Sequence, residues 1–131
     1  PENDGYDEEG RVFYSSVKEY VNDHGRDLDR IGHPGGKYLG VVENGRPASF
    51  EERSLEPHSL HDHYYRYQFR RNAKLPDGWK IETGHAAAWG EQPGGARQLR
   101  VIKDDGTPAS VQEMLDRKII RGKWDVFSWR P

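Results

Sequence analysis

The sequence predicts a small α+β domain with a mostly antiparallel β core and two short helices. Three observations lead to this fold class. The chain has 131 residues, a length typical of one domain. Aromatic and polar residues alternate from His63 to Arg71, as in a half-buried strand. Ser110 and Glu113 form a capping box, which indicates a short helix near the end of the chain.

The first elements are predicted as follows. Three apolar residues at helical spacing indicate the first helix: Val17, Tyr20 and Val21. Ser15 or Ser16 is its candidate N-cap, and residues 23–25 end it. The segment from Tyr38 to Val42 reads as a short strand, and residues 50–60 are expected to be irregular.

The strand from His63 to Arg71 has two distinct faces, because successive side chains point in opposite directions. One face carries Tyr65, Tyr67 and Phe69, and the other carries Tyr64, Arg66, Gln68 and Arg70. Two further strands are predicted by alternation around Trp79, Ile81 and Thr83, and around Gln98, Arg100 and Ile102.

The last part of the chain predicts a helix, a strand and an apolar flap. The helix that Ser110 caps runs to about Arg117. Ile119 and Ile120 follow as an edge strand. The flap over the core would come from three aromatic residues: Trp124, Phe127 and Trp129.

Composition narrows the function. The formal net charge is −2, so no overall basic field would attract nucleic acid or an anionic membrane. No cysteine is present, which excludes disulfides and thiolate metal sites. No apolar run approaches transmembrane length. Three histidines lie near each other, His58, His61 and His63, but their spacing matches no common zinc motif. Neither a metal nor a cofactor is expected.

Two glycine-rich loops are candidate ligand sites. Residues 90–98 hold two glutamines, Gln92 and Gln98, with Arg97 beside them. Residues 29–38 combine Arg30, a Gly pair and Tyr38. Glycines let a backbone approach a ligand, and arginine pairs with phosphate in a bidentate manner.

Each of these loops, taken alone, is more commonly an ordinary turn or a solvated surface loop. The isolated Arg53 is another candidate for binding phosphate, and it has its own plain interpretation as an ion-pair partner of Glu51 or Glu52. Two Gly-rich loops and two isolated arginines together favour a ligand that contains a diphosphate.

Five short motifs occur in order along the chain. They are PENDGY at 1–6, LDRIG at 28–32, GKYL at 36–39, FEERSL at 50–55 and QPGGARQ at 92–98. In this order and spacing, the series resembles the tuberculosis necrotizing toxin family of NAD glycohydrolases, from Pro1 to about Lys123.

The resemblance implies a function. Family members destroy NAD, and often NADP, in a target cell. They are typically C-terminal domains of larger secreted proteins, including type VI secretion effectors, and the producer carries an immunity protein. On this basis residues 1–131 are expected to be one toxin domain, a C-terminal piece of a secreted effector that acts in the cytoplasm of a target cell.

The resemblance also implies roles for single residues. Arg30 and Arg53 match the key arginines of the family, and Tyr38 matches its substrate-pocket aromatic. Gln98 matches the essential glutamine, with Gln92 as the alternative. Tyr65 stands where the family has a histidine, and His63 or Arg66 are nearby residues that would compensate.

The expected chemistry passes through an oxocarbenium-like transition state, as in glycoside hydrolysis. Tyr38 and Trp89 are candidates to stack on nicotinamide. Gln98 would position the ribose or the attacking water, and Glu91 is the first choice if a carboxylate is used. The alternatives are an RNA-targeting nuclease that uses the aromatic strand, an ADP-ribosyltransferase, and a binding module without activity.

Overall fold

The computed structural model describes residues 10–43, 63–86 and 95–123. The motif at 1–6 and several single residues named above lie outside these ranges: Glu51, Glu52, Arg53, His58, His61, Trp89, Glu91 and Gln92. The predicted irregular segment 50–60 and the predicted C-terminal flap also lie outside them.

The described elements form one antiparallel sheet with two helices. In chain order they are β1 (Val12–Tyr14), α1 (Val17–His24), β2 (Asp27–Ile31), β3 (Leu39–Val41), β4 (Tyr64–Phe69), β5 (Lys80–His85), β6 (Arg97–Ile102), α2 (Val111–Asp116) and β7 (Ile120–Gly122). The order of strands in the sheet is β1-β5-β6-β3-β2-β4-β7. The predicted fold class is confirmed.

The apolar core lies between the sheet and the two helices. Strand residues that face each other across the register, such as Leu39 and Leu99, point to the same side. Tyr20 of α1 and Met114 of α2 belong to the same buried cluster, and both are fully buried. Both helices therefore cover one face of the sheet, which we call the core face.

Both helices begin where the sequence predicts. The Ser16 side chain accepts a hydrogen bond from the Glu19 backbone N–H at 3.2 Å, and Ser110 accepts one from the Glu113 N–H at 3.0 Å. Such caps contribute about 1 kcal/mol each. The predicted edge strand at Ile119–Ile120 is confirmed as β7, at one end of the sheet.

Two strands, β1 and β2, were not predicted. β1 is three residues long, and Val12 and Phe13 are exposed, so it shows no buried alternation. β2 carries Asp29, which is fully buried, beside Arg30, so its sequence resembles a solvated loop. Asp29 is buried because the Tyr64 hydroxyl donates a hydrogen bond to its carboxylate at 2.8 Å.

β4 keeps the predicted alternation but not the predicted burial. Tyr67 and Phe69 lie in the core, whereas Tyr65 on the same face is 38% exposed. Tyr64 lies on the opposite face, as predicted, and it is nevertheless buried. The face of the sheet opposite the helices is therefore partly buried, and it is not a plain solvated surface.

Asp27 joins the start of β2 to the chain that follows β7. Its Oδ1 accepts hydrogen bonds from Gln68 at 2.9 Å and from the Lys123 ammonium at 3.2 Å. Burial raises the pKa of Asp27, but these two bonds outweigh burial and lower its pKa below the usual value.

We expect Asp27→Asn to remove a part of the stability that depends on pH. A depressed carboxyl pKa stabilises the fold above the unfolded pKa of about 3.9, and this contribution is lost as the pH falls through the folded pKa. The variant should be about 1 kcal/mol less stable near pH 7, with the difference vanishing in acid. Thermal melts from pH 2 to 7 check this, and parallel curves for the two proteins would contradict it.

Candidate active site

Gln98 lies on the face of the sheet opposite the core, which we call the polar face. In β6 the neighbouring Leu99 is fully buried in the core, so alternation directs Gln98 to the other side. The sequence predicts this orientation, and it also predicts that Arg97 shares the side of Leu99.

The two strand neighbours of Gln98 are both glycines. Gly40 of β3 and Gly84 of β5 are its partners in register. Glycine contributes no side chain, so neither neighbouring strand places a side chain directly beside Gln98 on the polar face. Gly40 is partly exposed and Gly84 is buried, so a ligand would approach the sheet on the Gly40 side of the Gln98 amide.

A buried ion pair borders this position. Glu82 and Arg100 face each other across β5 and β6, and the Arg100 Nε donates to Glu82 Oε1 at 2.9 Å. Their side chains are 6% and 13% exposed. The Arg100 guanidinium lies 5.5 Å from the centre of the Tyr38 ring, so a cation–π contact fixes that ring beside the ion pair.

A second carboxylate lies on the other side of Gly40. Asp29 is the register partner of Gly40 in β2, so one glycine separates it from Gln98 on the polar face. It is fully buried and accepts the Tyr64 hydroxyl. Of two buried carboxylates on the polar face, Asp29 thus lies in the row that contains Gln98, and Glu82 lies in the next row of that face.

Arg30 organises the glycine-rich loop 32–38. Its Nε donates to the His33 carbonyl and its Nη1 to the Tyr38 carbonyl, both at 2.8 Å. A Cβ atom on Gly36 would overlap the Arg30 guanidinium, so glycine is required there. Taken alone, Arg30 would be interpreted as an ion-pair partner of Asp27 or Asp29 on a solvated loop, but the structure places it within β2, and Asp27 binds Lys123 and Gln68.

The loop is also tied to α2. The backbone N–H of Val111 donates to the Gly36 carbonyl, and that of Gln112 donates to the Pro34 carbonyl, both at 2.8 Å. The Arg30 guanidinium is therefore held at one end of β2 and β3 by a loop whose two sides are anchored.

Tyr65 is the cross-strand partner of Arg30. The two residues are opposite each other in β4 and β2, on the side of the sheet that continues into the core. The Tyr65 ring contacts the rings of His63 and Tyr67, at centroid distances of 6.2 and 6.4 Å. The structure thus places Tyr65 beside Arg30 on the side of the core face. Gln98 and the Tyr38 ring lie on the polar face.

Arg97 is not brought to Gln98. It lies on the opposite side of the sheet, and its Nε donates to Glu43 Oε1 at 3.1 Å. Glu43 also contacts His24, which touches the Tyr14 hydroxyl at 3.1 Å. Burial, with a hydrogen bond to Asp23, raises the pKa of Tyr14 to about 12. Arg97 therefore belongs to a polar network on the other face of the sheet, although it directly precedes Gln98 at the start of β6.

Two further structural features bear on function. Within residues 10–43, 63–86 and 95–123, no group of three or more metal-ligating side chains converges. In the same ranges, neither helix is long and apolar enough to cross a membrane.

Sequence reasoning missed Asp29 and Glu82 as members of this site. Asp29 directly precedes Arg30 in the sequence and was considered only as an ion-pair partner of Arg30, because β2 was not predicted. Glu82 lies between two buried residues of a recognised strand, and a charge at that place in an alternating pattern was an available signal.

Comparison with known proteins identifies the family. Residues 23–122 match the family model of the tuberculosis necrotizing toxin. Over 121 residues the chain is 39% identical to the outer membrane channel protein CpnT of Mycobacterium tuberculosis and of Mycobacterium bovis. That alignment covers 92% of this chain and 14% of each relative, so the chain spans a small part of their length.

A solved structure gives the same result. It contains the tuberculosis necrotizing toxin complexed with its immunity factor IFT, and it is similar to this chain with a TM-score of 0.85 at 39% sequence identity. The similarity covers 92% of this chain and 59% of that one. This chain belongs to the tuberculosis necrotizing toxin family.

Proposed function

We propose that this domain is an NAD glycohydrolase and that NADP is also a substrate. It would hydrolyse the bond between nicotinamide and ribose to give nicotinamide, ADP-ribose and a proton. The observation that carries the proposal is the position of Gln98, an amide between two glycines on the polar face, close to the Tyr38 ring.

The reaction requires little acid–base catalysis by the protein. The electron pair of the breaking C–N bond moves into the nicotinamide ring, which leaves neutral, while a water oxygen bonds to the anomeric carbon. The developing oxocarbenium ion is positive. Gln98 is neutral and positions the ribose or the water through hydrogen bonds, which lowers the barrier without proton transfer.

The nearby carboxylates suit an electrostatic role. Asp29 and Glu82 carry negative charge near the place where positive charge develops, and a fixed charge in a poorly solvated site stabilises such a transition state. Each carboxylate already accepts a hydrogen bond, from Tyr64 and Arg100 respectively, so neither is assigned as the general base. Glu91 keeps that role if a carboxylate base is used.

The remaining residues are assigned to binding. Arg30 and Arg53 would contact the diphosphate, Tyr38 and Trp89 the nicotinamide, and Gln92 the ribose. Arg30 suits this role because its guanidinium is fixed by two carbonyls in a glycine-rich loop. Tyr65, opposite Arg30, would line the same end of the site.

As a toxin domain, the protein would act in the cytoplasm of a target cell and be neutralised by a cognate immunity protein. The relative whose structure is known is complexed with an immunity factor, which supports such a partner. A type VI delivery route, a larger secreted parent protein, and the absence of nucleic-acid and membrane partners also belong to the proposal.

The main argument for the alternative function, an RNA-targeting nuclease, is weaker than the sequence suggests. It required the aromatic side chains of β4 to stack on bases. Tyr67 and Phe69 are buried in the core, so only Tyr65 of that series is exposed.

The purified domain is expected to release nicotinamide and ADP-ribose from NAD in a buffer that contains a chelator and no added metal. The test is chromatography of the products, with NADP in parallel. ADP-ribose attached to protein would favour the transferase alternative. Loss of activity in the chelator, restored by a divalent ion, would contradict the metal-free mechanism.

A further inference from the structure

A strongly basic concavity lies at the far end of β2 and β4 from the Arg30 loop. Its volume is about 500 Å³. Seven of its lining residues are cationic: Arg26, Arg70, Arg71, Lys74, Arg117, Lys118 and Arg121. No carboxylate is among the described residues that line it. We call it the basic pocket.

The basic pocket continues into a larger and less polar one. The second pocket has a volume of about 670 Å³ and shares Arg26 and the segment 70–74 with the first. It adds three apolar residues, Val17, Val21 and Leu75, and four polar residues, Ser15, Ser16, Lys18 and Asn22. One continuous depression thus has a cationic half and a less polar half, which we call the apolar half.

Among the described residues, the positive charge of the basic pocket is neutralised only in part. In the part of the chain that the structure describes, no carboxylate forms an ion pair with Arg70, Arg71, Lys74 or Lys118, whereas Arg117 has a long contact with Glu113 at 3.7 Å. Two further members bind neutral groups: Arg26 donates to the Phe69 carbonyl and Arg121 to the Gln68 side chain.

The cations repel one another. Burial lowers the pKa of Arg26, and the nearby charges of Arg71 and Arg121 lower it further. Such crowding is unfavourable in a protein whose overall charge is −2. A bound polyanion would attract each of these cations and so offset their mutual repulsion. The arginines also offer it bidentate hydrogen bonds.

We propose that this double pocket binds a small organic phosphate of the nucleoside di- or triphosphate class. The phosphates would occupy the basic pocket, and the base or sugar would pack on the apolar half. Both volumes fall in the range of small-molecule sites, about 300–1,000 Å³. The concave shape, and the lack of an aromatic side chain among the described lining residues, favour a compact ligand over an RNA strand.

This site is separate from the candidate active site. Arg26 precedes β2 and Arg30 lies near its other end, while Arg70 follows β4 and Tyr65 lies near its start. At about 3.3 Å per residue, Tyr65 and Arg70 are roughly 17 Å apart along the strand. The proposal therefore does not depend on cleavage of NAD.

The test is calorimetric titration of the intact domain with ATP, pyrophosphate and adenosine. We expect ATP to bind at least tenfold more tightly than adenosine, with affinity falling steeply as salt increases. The double variant Arg71→Gln and Lys74→Gln should weaken ATP binding at least tenfold. Both side chains are exposed, so the fold should be retained, and a thermal melt checks this.

A matched control locates the binding. Lys80→Gln removes one exposed lysine on β5, outside the basic pocket, and should change ATP affinity less than twofold. Unchanged ATP binding in the double variant, or no ATP binding at millimolar concentration, would overturn the proposal. Tight binding of an RNA oligonucleotide without binding of ATP would also overturn it, in favour of a nucleic-acid surface.

Discussion

Replacing Gln98 by alanine is expected to lower the turnover of NAD by about 100- to 1,000-fold, with a change in NAD affinity of less than about fivefold. The amide lies between Gly40 and Gly84, so no neighbouring strand residue can replace it. If it contacts the ribose or water mainly in the transition state, its loss raises the barrier without weakening ground-state binding. Turnover and affinity are measured separately, by steady-state kinetics and by titration of a non-hydrolysable NAD analogue.

Gln68→Ala is the matched control. Gln68 is also an amide on the polar face, but it lies in β4 and binds Asp27. We expect the Gln68→Ala protein to lose some stability. Its turnover of NAD should stay within about twofold of the unaltered protein, because Gln68 is remote from Gln98. A Gln98→Ala protein that turns over NAD at a near-normal rate would exclude Gln98 from the mechanism and leave Gln92 or Glu91 to be tested.

Arg30→Ala is expected to weaken NAD binding about 100-fold and also to lower the melting temperature. A charged contact to the diphosphate contributes about 2–3 kcal/mol, which corresponds to this loss of affinity. Removal of two hydrogen bonds to carbonyls costs about 2 kcal/mol of stability, or roughly 7 °C. From sequence alone, folding is expected to survive this change, because Arg30 is not expected in the apolar core; the two bonds add a cost in stability to that expectation.

Two other variants separate the roles of Arg30. Arg30→Lys keeps the charge but loses the guanidinium fork, so it should recover part of the affinity and little of the stability. Arg97→Ala removes an arginine that is paired with Glu43 and points away from Gln98, and NAD affinity should stay within about twofold. Unchanged NAD affinity in Arg30→Ala would refute the assignment of Arg30 to the diphosphate.

The sequence predicted those parts of the fold that depend on local signals. Ser16 and Ser110 cap helices through their own hydrogen-bond chemistry, and β4 shows its alternation within six residues. β2 was missed because its buried Asp29 depends on Tyr64, which lies 35 positions away. No local pattern distinguishes a carboxylate that is satisfied by a distant hydroxyl from one in solvent.

The candidate site was predictable only where it also depends on local signals in the sequence. Alternation sufficed to direct Gln98 away from the core, because the buried Leu99 is its neighbour. The two glycines beside Gln98 come from β3 and β5, and only the strand order brings them there. Arg97 was grouped with Gln98 by adjacency in the chain, although adjacent strand residues point to opposite sides.

The strand order has a consequence for how fast the domain folds. β1 bonds to β5 through residues 71 positions apart, and β4 is joined to β7 by a bond spanning 53 positions. Contacts between such distant segments require large loops to close first, so domains of this kind fold in milliseconds to seconds instead of microseconds. During synthesis the sheet cannot be completed until β7 has left the ribosome. The candidate active site needs β6 between β3 and β5, so it too is assembled only late in synthesis.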